Sequence, residues 1–439
     1  MVKKKFALWV LVLVFLLVFN SCKNEKNKGF NIVLIVIDAL RSDHLPFYGY
    51  EKDTAPFLWE LSKKSVLFEN AFSTSSRTSP AAASIFTSMY PFQHGVLMVM
   101  WTIKNARKID PTIEINRIPG EIETITEMLK KNGYRTYGVS DNINIGHEEG
   151  FTQGFDQFKT FMYRQAPAVN RAVKKWKKEL TSGGKYFLYL HYMDPHEPYY
   201  PREPWYKPHK EERKSKIAAY DSEINFVDRH IRELFKEFQW DKNTLVIITS
   251  DHGEGLWDHG VMGHGSSLFR EEIQVPFLIY LPGSGSGLRI SANVSTLDIL
   301  PTVRDLMGLP GSKNDEGVSL VPLIENRKSD LGRRYLYSYL WLKALDANKP
   351  RLNEVEFRTT IYKKWHFMIK FPGARHLYSL LLDKKEEENK FTGGKTIARQ
   401  LEIRFNDFMK SSKKYKQKTA AYKLDRKKSE KLKTLGYVH

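Results

Sequence analysis

Ser250-Asp251-His252-Gly253-Glu254-Gly255 sets three ionisable side chains and two glycines directly after the apolar run Leu245 to Thr249. Carboxylates and an imidazole on the tip of a buried strand are costly unless something pairs with them, and a divalent cation is the most effective partner. Oxygen ligands with one imidazole suit Mn²⁺, Mg²⁺, Ca²⁺ or Zn²⁺ without choosing among them. Asp38 ends a second apolar run, Asn31 to Ile37. Alone it would read as a helix cap; beside the first cluster it becomes a candidate ligand. Histidines gather in His191-Tyr192-Met193-Asp194-Pro195-His196-Glu197-Pro198-Tyr199 and in Asp258-His259 with Met262-Gly263-His264-Gly265. Such residues can serve as general acids or steady an anionic oxygen, and His196 and His264 are the pair singled out. Ala71 to Ser88 runs through small and hydroxylic residues to Pro80 and then an Ala/Ser-rich helix. This suits a nucleophile at a helix N-terminus, although by itself the segment reads better as an ordinary Ser/Thr-capped helix.

These residues need a frame that brings strand ends together. The runs Asn31 to Ile37, Tyr134 to Val139, Tyr186 to Leu190, Leu245 to Thr249 and Pro276 to Leu281 read as strands buried on both faces. Helical stretches, Glu121 to Asn132 and Tyr220 to Phe238, lie between them. Alternating strands and helices predict an α/β fold, a large, mostly parallel sheet covered by helices on both faces, with ligands beyond the carboxyl ends of the strands. After about residue 330, Arg358 to Lys370 reads as a hairpin with a further strand near His376 to Leu382. A small antiparallel sheet and a C-terminal helix would complete the chain. No internal repeat is present.

Composition narrows the classes. With 439 residues, 41% hydrophobic and 13% aromatic, the chain can bury a large core and is not disordered. Its single Cys excludes a disulfide framework and any Cys-built zinc or iron–sulfur site. A mean hydropathy of −0.46 excludes a polytopic membrane protein. The charge, 69 Lys+Arg against 50 Asp+Glu, is +19. The start reads as an export signal, with Lys3, Lys4 and Lys5 before the apolar run Phe6 to Phe19. That run leads to Cys22, where a bacterial lipoprotein signal places its lipidated Cys, and then to a polar tether. The expected location is therefore the bacterial cell envelope, exported and membrane-anchored through an N-terminal lipid. Residues 401–439 are basic, which reads as a solvated helix face or as attraction to anionic lipid or substrate. No nucleic-acid module is visible.

Together these stretches resemble the sulfatase family within the alkaline-phosphatase superfamily. Asn31 to Asp38 with Arg41, Asp43 and His44 is similar to its first metal-binding strand, and Thr78-Ser79-Pro80 through Tyr90-Pro91 and His94-Gly95 to its nucleophile segment. His191 to Tyr199 resembles its histidine loop, Ser250 to Glu254 with Gly263-His264-Gly265 its second metal loop, and Ser295 to Thr302 the segment closing the large domain. Leu432 to Val438 resembles a common family ending. The implied domains are a lipoprotein-type signal peptide (1–22), a tether (23–30), a catalytic domain (31–330), a small α+β subdomain (331–400) and a basic C-terminal helix or tail (401–439).

Carried over, the resemblance implies one divalent ion on Asp38, Asp251 and His252, with Thr78 as nucleophile and fourth ligand. His196 and His264 would serve the substrate anion and the leaving group, and His191, Asp194 and Asn142 would contact substrate. The departures are specific. Sulfatases convert the first residue of Cys/Ser-x-Pro-x-Arg into formylglycine; here the five are Thr78-Ser79-Pro80-Ala81-Ala82, and Thr cannot become that aldehyde. Ala39 stands where an adjacent Asp is usual, and Ser140-Asp141-Asn142 replaces a Gly-Lys-x-His segment. A Thr nucleophile on one metal instead resembles phosphoethanolamine transferases and lipoteichoic acid synthases. The expected activity is attack by the activated Thr78 hydroxyl on an anionic ester, possessing phosphorus in preference to sulfur, from a lipid or surface glycan. A genuine sulfuric ester hydrolase and a non-catalytic surface lipoprotein are the alternatives.

Overall fold

The computed structural model describes residues 29–98, 115–283, 287–332, 334–345, 352–371, 373–415 and 418–420. The signal peptide with Cys22, most of the tether and residues 421–439 lie outside them. In chain order the strands are β1 Asn31–Ile37, β2 Val66–Phe72, β3 Ile115–Arg117, β4 Arg135–Ser140, β5 Gln157–Thr160, β6 Tyr186–Tyr192, β7 Thr244–Thr249 and β8 Gly255–Leu256. They continue with β9 Met262–Gly263, β10 Gln274–Tyr280, β11 Arg289–Ser295, β12 Leu336–Leu345, β13 Leu352–Tyr362, β14 Trp365–Phe371, β15 Arg375–Ser379 and β16 Lys418–Ala420.

Eight strands form the main sheet in the order β11-β2-β10-β7-β1-β6-β4-β5. The β-branched run of β1 sits centrally because both of its faces are buried. Ile32, Leu34 and Val36 pack into the core on one side, Val33, Ile35 and Ile37 into the core on the other. β1 runs parallel to β6 and β7, and β4 parallel to β6. Register then does the positioning. Ser140 pairs with His191, His191 with Val36 and Val36 with Thr249, so these four share one row. Asn142, Asp38 and Asp251 each lie two residues beyond that row.

The sheet departs from the expected pattern at one side. The fifth run is β10, and it is antiparallel to both β7 and β2. β2, β5 and β11, which the apolar runs did not reveal, widen the sheet. The long helix is Glu212–Glu237, starting earlier than Tyr220 because its first two turns are polar. The earlier helix is shortened to Ile125–Lys131, where Thr124 and Glu127 form a reciprocal cap. The C-terminal sheet is β12-β13-β14-β15, all antiparallel, with the expected hairpin as β13–β14. Its helix, Lys395–Ser411, straddles residue 400 and packs Ala398 and Leu401 on that sheet, so the expected boundary there cuts through one element. β16 then pairs with β3.

Candidate active site

Asp38, Asp251 and His252 are fully buried, and one ligand atom from each lies within 4.8 Å of the others. Every other polar atom of the three is already committed. Asp38 Oδ2 accepts from Asn142 Nδ2 at 2.6 Å and faces His191 Nε2 at 3.0 Å, and Asp38 Oδ1 has no hydrogen-bond partner among the described residues. Asp251 Oδ1 accepts from the His252 N–H, and its Oδ2 is likewise left over. His252 Nδ1 donates to the Gly253 carbonyl at 2.9 Å, which turns the Nε2 lone pair toward both carboxylates, 3.5 Å from Asp38 Oδ1 and 3.5 Å from Asp251 Oδ2. Gly253 is required here, because a Cβ would lie 2.0 Å from the Glu271 carbonyl oxygen.

Burial acts against two ionised carboxyls at this spacing. It would raise Asp38, but the His191 hydrogen bond with the nearby His196 and His252 holds that group far below its ordinary range. Asp251 is pushed well above its ordinary range by burial and by the Asp38 charge. Two orphaned carboxylate oxygens and one imidazole lone pair, converging in a buried place, fit one divalent cation. The donor set does not single out which ion.

Thr78 opens the helix Thr78–Thr87, whose ten residues are all buried. Its Oγ1 is 3.3 Å from His252 Nε2 and 3.5 Å from Asn142 Nδ2, so the hydroxyl faces the same convergence. Ser79 turns elsewhere and donates to the Asn144 carbonyl at 3.2 Å. An oxygen at a helix N-terminus sits where the macrodipole favours developing negative charge.

Beside this lies a histidine pair. His264 Nδ1 donates to the Ser76 carbonyl and His196 Nδ1 to the Glu197 carbonyl, so their Nε2 atoms face one another at 3.0 Å. That contact is a hydrogen bond only when one Nε2 carries a proton. His264 also stacks on His252, ring centroids 4.1 Å apart. Burial pushes His264 well below its usual value, reinforced by His252 and His196, and burial lowers His196 too. A proton placed between these rings is weakly held.

Three residues expected to contact substrate have other partners. His191 lies within β6, with Nε2 on Asp38 and Nδ1 2.9 Å from the Tyr189 hydroxyl. Asn142 holds Asp38 through Nδ2 and accepts from the Asn144 N–H through Oδ1. Asp194 is turned to the Ala166 N–H, 3.1 Å from each oxygen, at the start of the helix Ala166–Lys175. In this arrangement His191 and Asn142 hold the Asp38 carboxylate, and Asp194 holds the start of the following helix.

Two neighbours, given no role of their own from the sequence, stand beside these residues. Arg77, directly before Thr78, is half-buried and donates to the Gly265 carbonyl at 3.2 Å, and its charge adds to the burial that lowers His252. Gly265 is left-handed at φ +75°, and a Cβ there would stand 2.7 Å from the Arg77 side chain. Arg77 thus precedes Thr78 by one, whereas the arginine of the family pattern would follow it by four. Glu254 is fully buried beside Tyr199, and burial pushes its carboxyl well above the ordinary range.

Comparison with known proteins bears on the family and the fold. Residues 30–309 match the sulfatase family, and residues 257–414 match the C-terminal region of N-sulphoglucosamine sulphohydrolase. The chain is 26% identical over 357 residues to an ulvan-active sulfatase of Formosa agariphila, covering 70% of this chain and 67% of that protein. Among solved structures it is similar to a 2-O GAG sulfatase, with a TM-score of 0.71 and 18% identity over 89% of this chain and 95% of that one. It is also similar to the phosphonate monoester hydrolase of Agrobacterium radiobacter, with a TM-score of 0.69 and 16% identity over 91% and 98% of the two chains.

Proposed function

The chain belongs to the sulfatase family of ester hydrolases, and from that premise we propose that it cleaves an anionic ester with the Thr78 hydroxyl as nucleophile, phosphorus being preferred to sulfur. The observation that carries this reading is the placement of Thr78 Oγ1, 3.3 Å from His252 Nε2 at the mouth of a buried helix. Asp38, Asp251 and His252 would hold one divalent ion, with Thr78 as a fourth donor. When bound, such an ion supplies Lewis acidity at the nucleophile and neutralises charge on the ester.

The chain's own residues supply the rest. Asn142 and His191 hold the Asp38 carboxylate in one orientation, and Asn142 reaches Thr78 as well. Arg77 places a fixed cation beside the reacting oxygens. The His196–His264 pair passes the proton between its Nε2 atoms to the departing oxygen. Thr78 has one hydroxyl, so the group it accepts leaves by a second displacement at the central atom, by water or by another alcohol. Direct displacement of that kind supports a phosphoric or phosphonic ester, since a Thr cannot form the aldehyde that sulfatases use. Hydrolysis and transfer share this first half.

A second reading, a sulfuric ester on a saccharide, is supported by the activities named for the relatives above. The departures at Ala39 and Ala82 do not favour a retired scaffold, because four donors still converge. Export and anchoring through Cys22 would place the enzyme on the cell envelope, where surface glycans and lipids are at hand. Chromogenic phosphate mono-, di- and phosphonate esters assayed beside sulfate esters with added Mn²⁺, Ca²⁺, Mg²⁺ or Zn²⁺ test the reading. Turnover of the phosphorus esters that Thr78→Ala abolishes would support it, and turnover of sulfate esters alone would transfer the case to the second reading.

A further inference from the structure

Behind the loop that carries His264 stands Glu272, buried on the short helix Arg270–Ile273. Its Oε2 accepts from the Gly265 N–H at 2.7 Å and from the Ser266 N–H at 3.4 Å, and its Oε1 accepts from the Ser267 hydroxyl. Its main chain reaches a second loop, because the Glu272 carbonyl accepts from the Gly253 N–H at 2.9 Å, one residue past His252. Burial pushes the carboxyl up to about 7, while the Ser267 hydroxyl and the Gly265 and Ser266 N–H groups draw it down. A buried carboxyl served by neutral donors is a costly way to fill space, and an apolar side chain would fill the same place without that cost. The acceptor atoms themselves therefore need a reason.

The other side of the 265–267 turn supplies it. There the turn meets the two residues that precede Thr78. His264 Nδ1 donates to the Ser76 carbonyl at 3.1 Å, Arg77 Nε to the Gly265 carbonyl at 3.2 Å and the Ser76 hydroxyl to the Ser267 carbonyl at 2.6 Å. These three bonds join residues 76–77 to residues 264–267, and Glu272 grips the same turn from behind. The left-handed φ of +75° at Gly265 lets its N–H face Glu272 while its carbonyl faces Arg77. That N–H belongs to the peptide unit leaving His264, so holding it sets the direction in which the imidazole departs from the main chain.

We propose that Glu272 is a positioning residue for ester cleavage: its carboxylate fixes the 265–267 turn, which aims His264 Nε2 at His196 and holds the Gly265 carbonyl where Arg77 bonds it. This rests on the ester-cleaving reading above and adds a residue to it. Among the described residues Glu272 makes no side-chain hydrogen bond to Thr78, His196 or His252, so it acts through the turn and not on the reacting atoms. Its loss should therefore copy, in part, the loss of His264.

The test has a kinetic arm and a spectroscopic arm, both on the full-length protein. Glu272→Ala and Glu272→Met remove the acceptor, the second while filling the same space, so one folded variant of the two suffices. Glu272→Gln keeps one oxygen for the Gly265 N–H. Removing the acceptor should lower the ratio of kcat/KM for an alkyl ester to that for a nitrophenyl ester about tenfold, since the alkyl leaving oxygen depends more on the histidine proton. Glu272→Gln should restore most of that ratio. Combined with His264→Ala, the acceptor-free variant should lower the ratio no further than His264→Ala alone. An equal loss on both esters, or additive losses in the double variant, would overturn the proposal and leave Glu272 a packing residue. The second arm needs no turnover. With histidine nitrogens isotope-labelled and assigned through His264→Ala and His196→Ala, nuclear magnetic resonance should show both rings shifted in the acceptor-free variant and near wild type in Glu272→Gln. Unshifted rings in the acceptor-free variant would equally overturn the proposal. If no ester is turned over, the ester-cleaving reading fails, while the ring resonances still decide whether Glu272 sets the histidine pair.

Discussion

His264 Nε2 lies 3.0 Å from His196 Nε2, and each ring has already committed Nδ1 to a main-chain carbonyl. Two lone pairs at that distance require one proton between them, and burial keeps it weakly held. Removing either ring should therefore matter most when the leaving oxygen needs that proton. His264→Ala is expected to cost about 10²-fold or more in turnover of an alkyl ester, and much less for a nitrophenyl ester. The same proton sets a pH trend. It is lost as pH rises through a value below the ordinary His range, so kcat/KM for alkyl esters should decline from mildly acidic pH upward. A pH–rate profile with both ester types checks this, and identical profiles would remove the pair from the proton path.

Metal binding depends on Asp251 in this account. Asp251→Ala removes one of the two orphaned oxygens, and elemental analysis of the purified protein should show the divalent ion lost. Chelation of the wild type leaves Asp38 and Asp251 opposed in a buried place, so the thermal midpoint should fall on adding chelator and recover with metal. Full metal content in the variant would sink the ligand assignment.

Asp194 separates positioning from substrate contact. Burial pushes its carboxyl up to about 7 from an ordinary 3.8. A raised folded-state pKa contributes stability that is complete below the unfolded value and is lost as pH rises through the folded one. Asp194→Asn should therefore flatten the decline of the thermal midpoint between about pH 4 and 7. It should leave KM where it was, whereas a raised KM would return Asp194 to the substrate.

Lipidation at Cys22 is tested by fractionation. Cys22→Ser should release the protein from membranes or leave its signal uncleaved, and unchanged mature mass with unchanged fractionation would remove the idea.

The convergence of Asp38, Asp251 and His252 was legible because they follow β-branched runs, and such runs lie side by side in a parallel sheet. Thr78 was legible from the Pro two residues on and the small residues that follow. His191, Asn142 and Asp194 have protein partners that the sequence did not reveal. Proximity follows from strand ends, but which atom takes each hydrogen bond depends on side-chain geometry across three strands. β2 was hidden because Glu69 and Asn70 interrupt its apolar run, and β11 because it is half-exposed. Arg77 was passed over because the arginine of the family pattern lies on the other side of Thr78.

The central claim is that the Thr78 oxygen attacks. The direct measurement is single-turnover kinetics on the turned-over ester for Thr78→Ala, Thr78→Ser and Ser79→Ala, with metal content and substrate binding measured on the same preparations. Thr78→Ala should lose on the order of 10³-fold or more in turnover with metal and substrate still bound. Thr78→Ser should keep part of the activity, and Ser79→Ala most of it, since Ser79 faces Asn144. Activity that survives Thr78→Ala and disappears with Ser79→Ala would contradict the account and move the nucleophile by one residue.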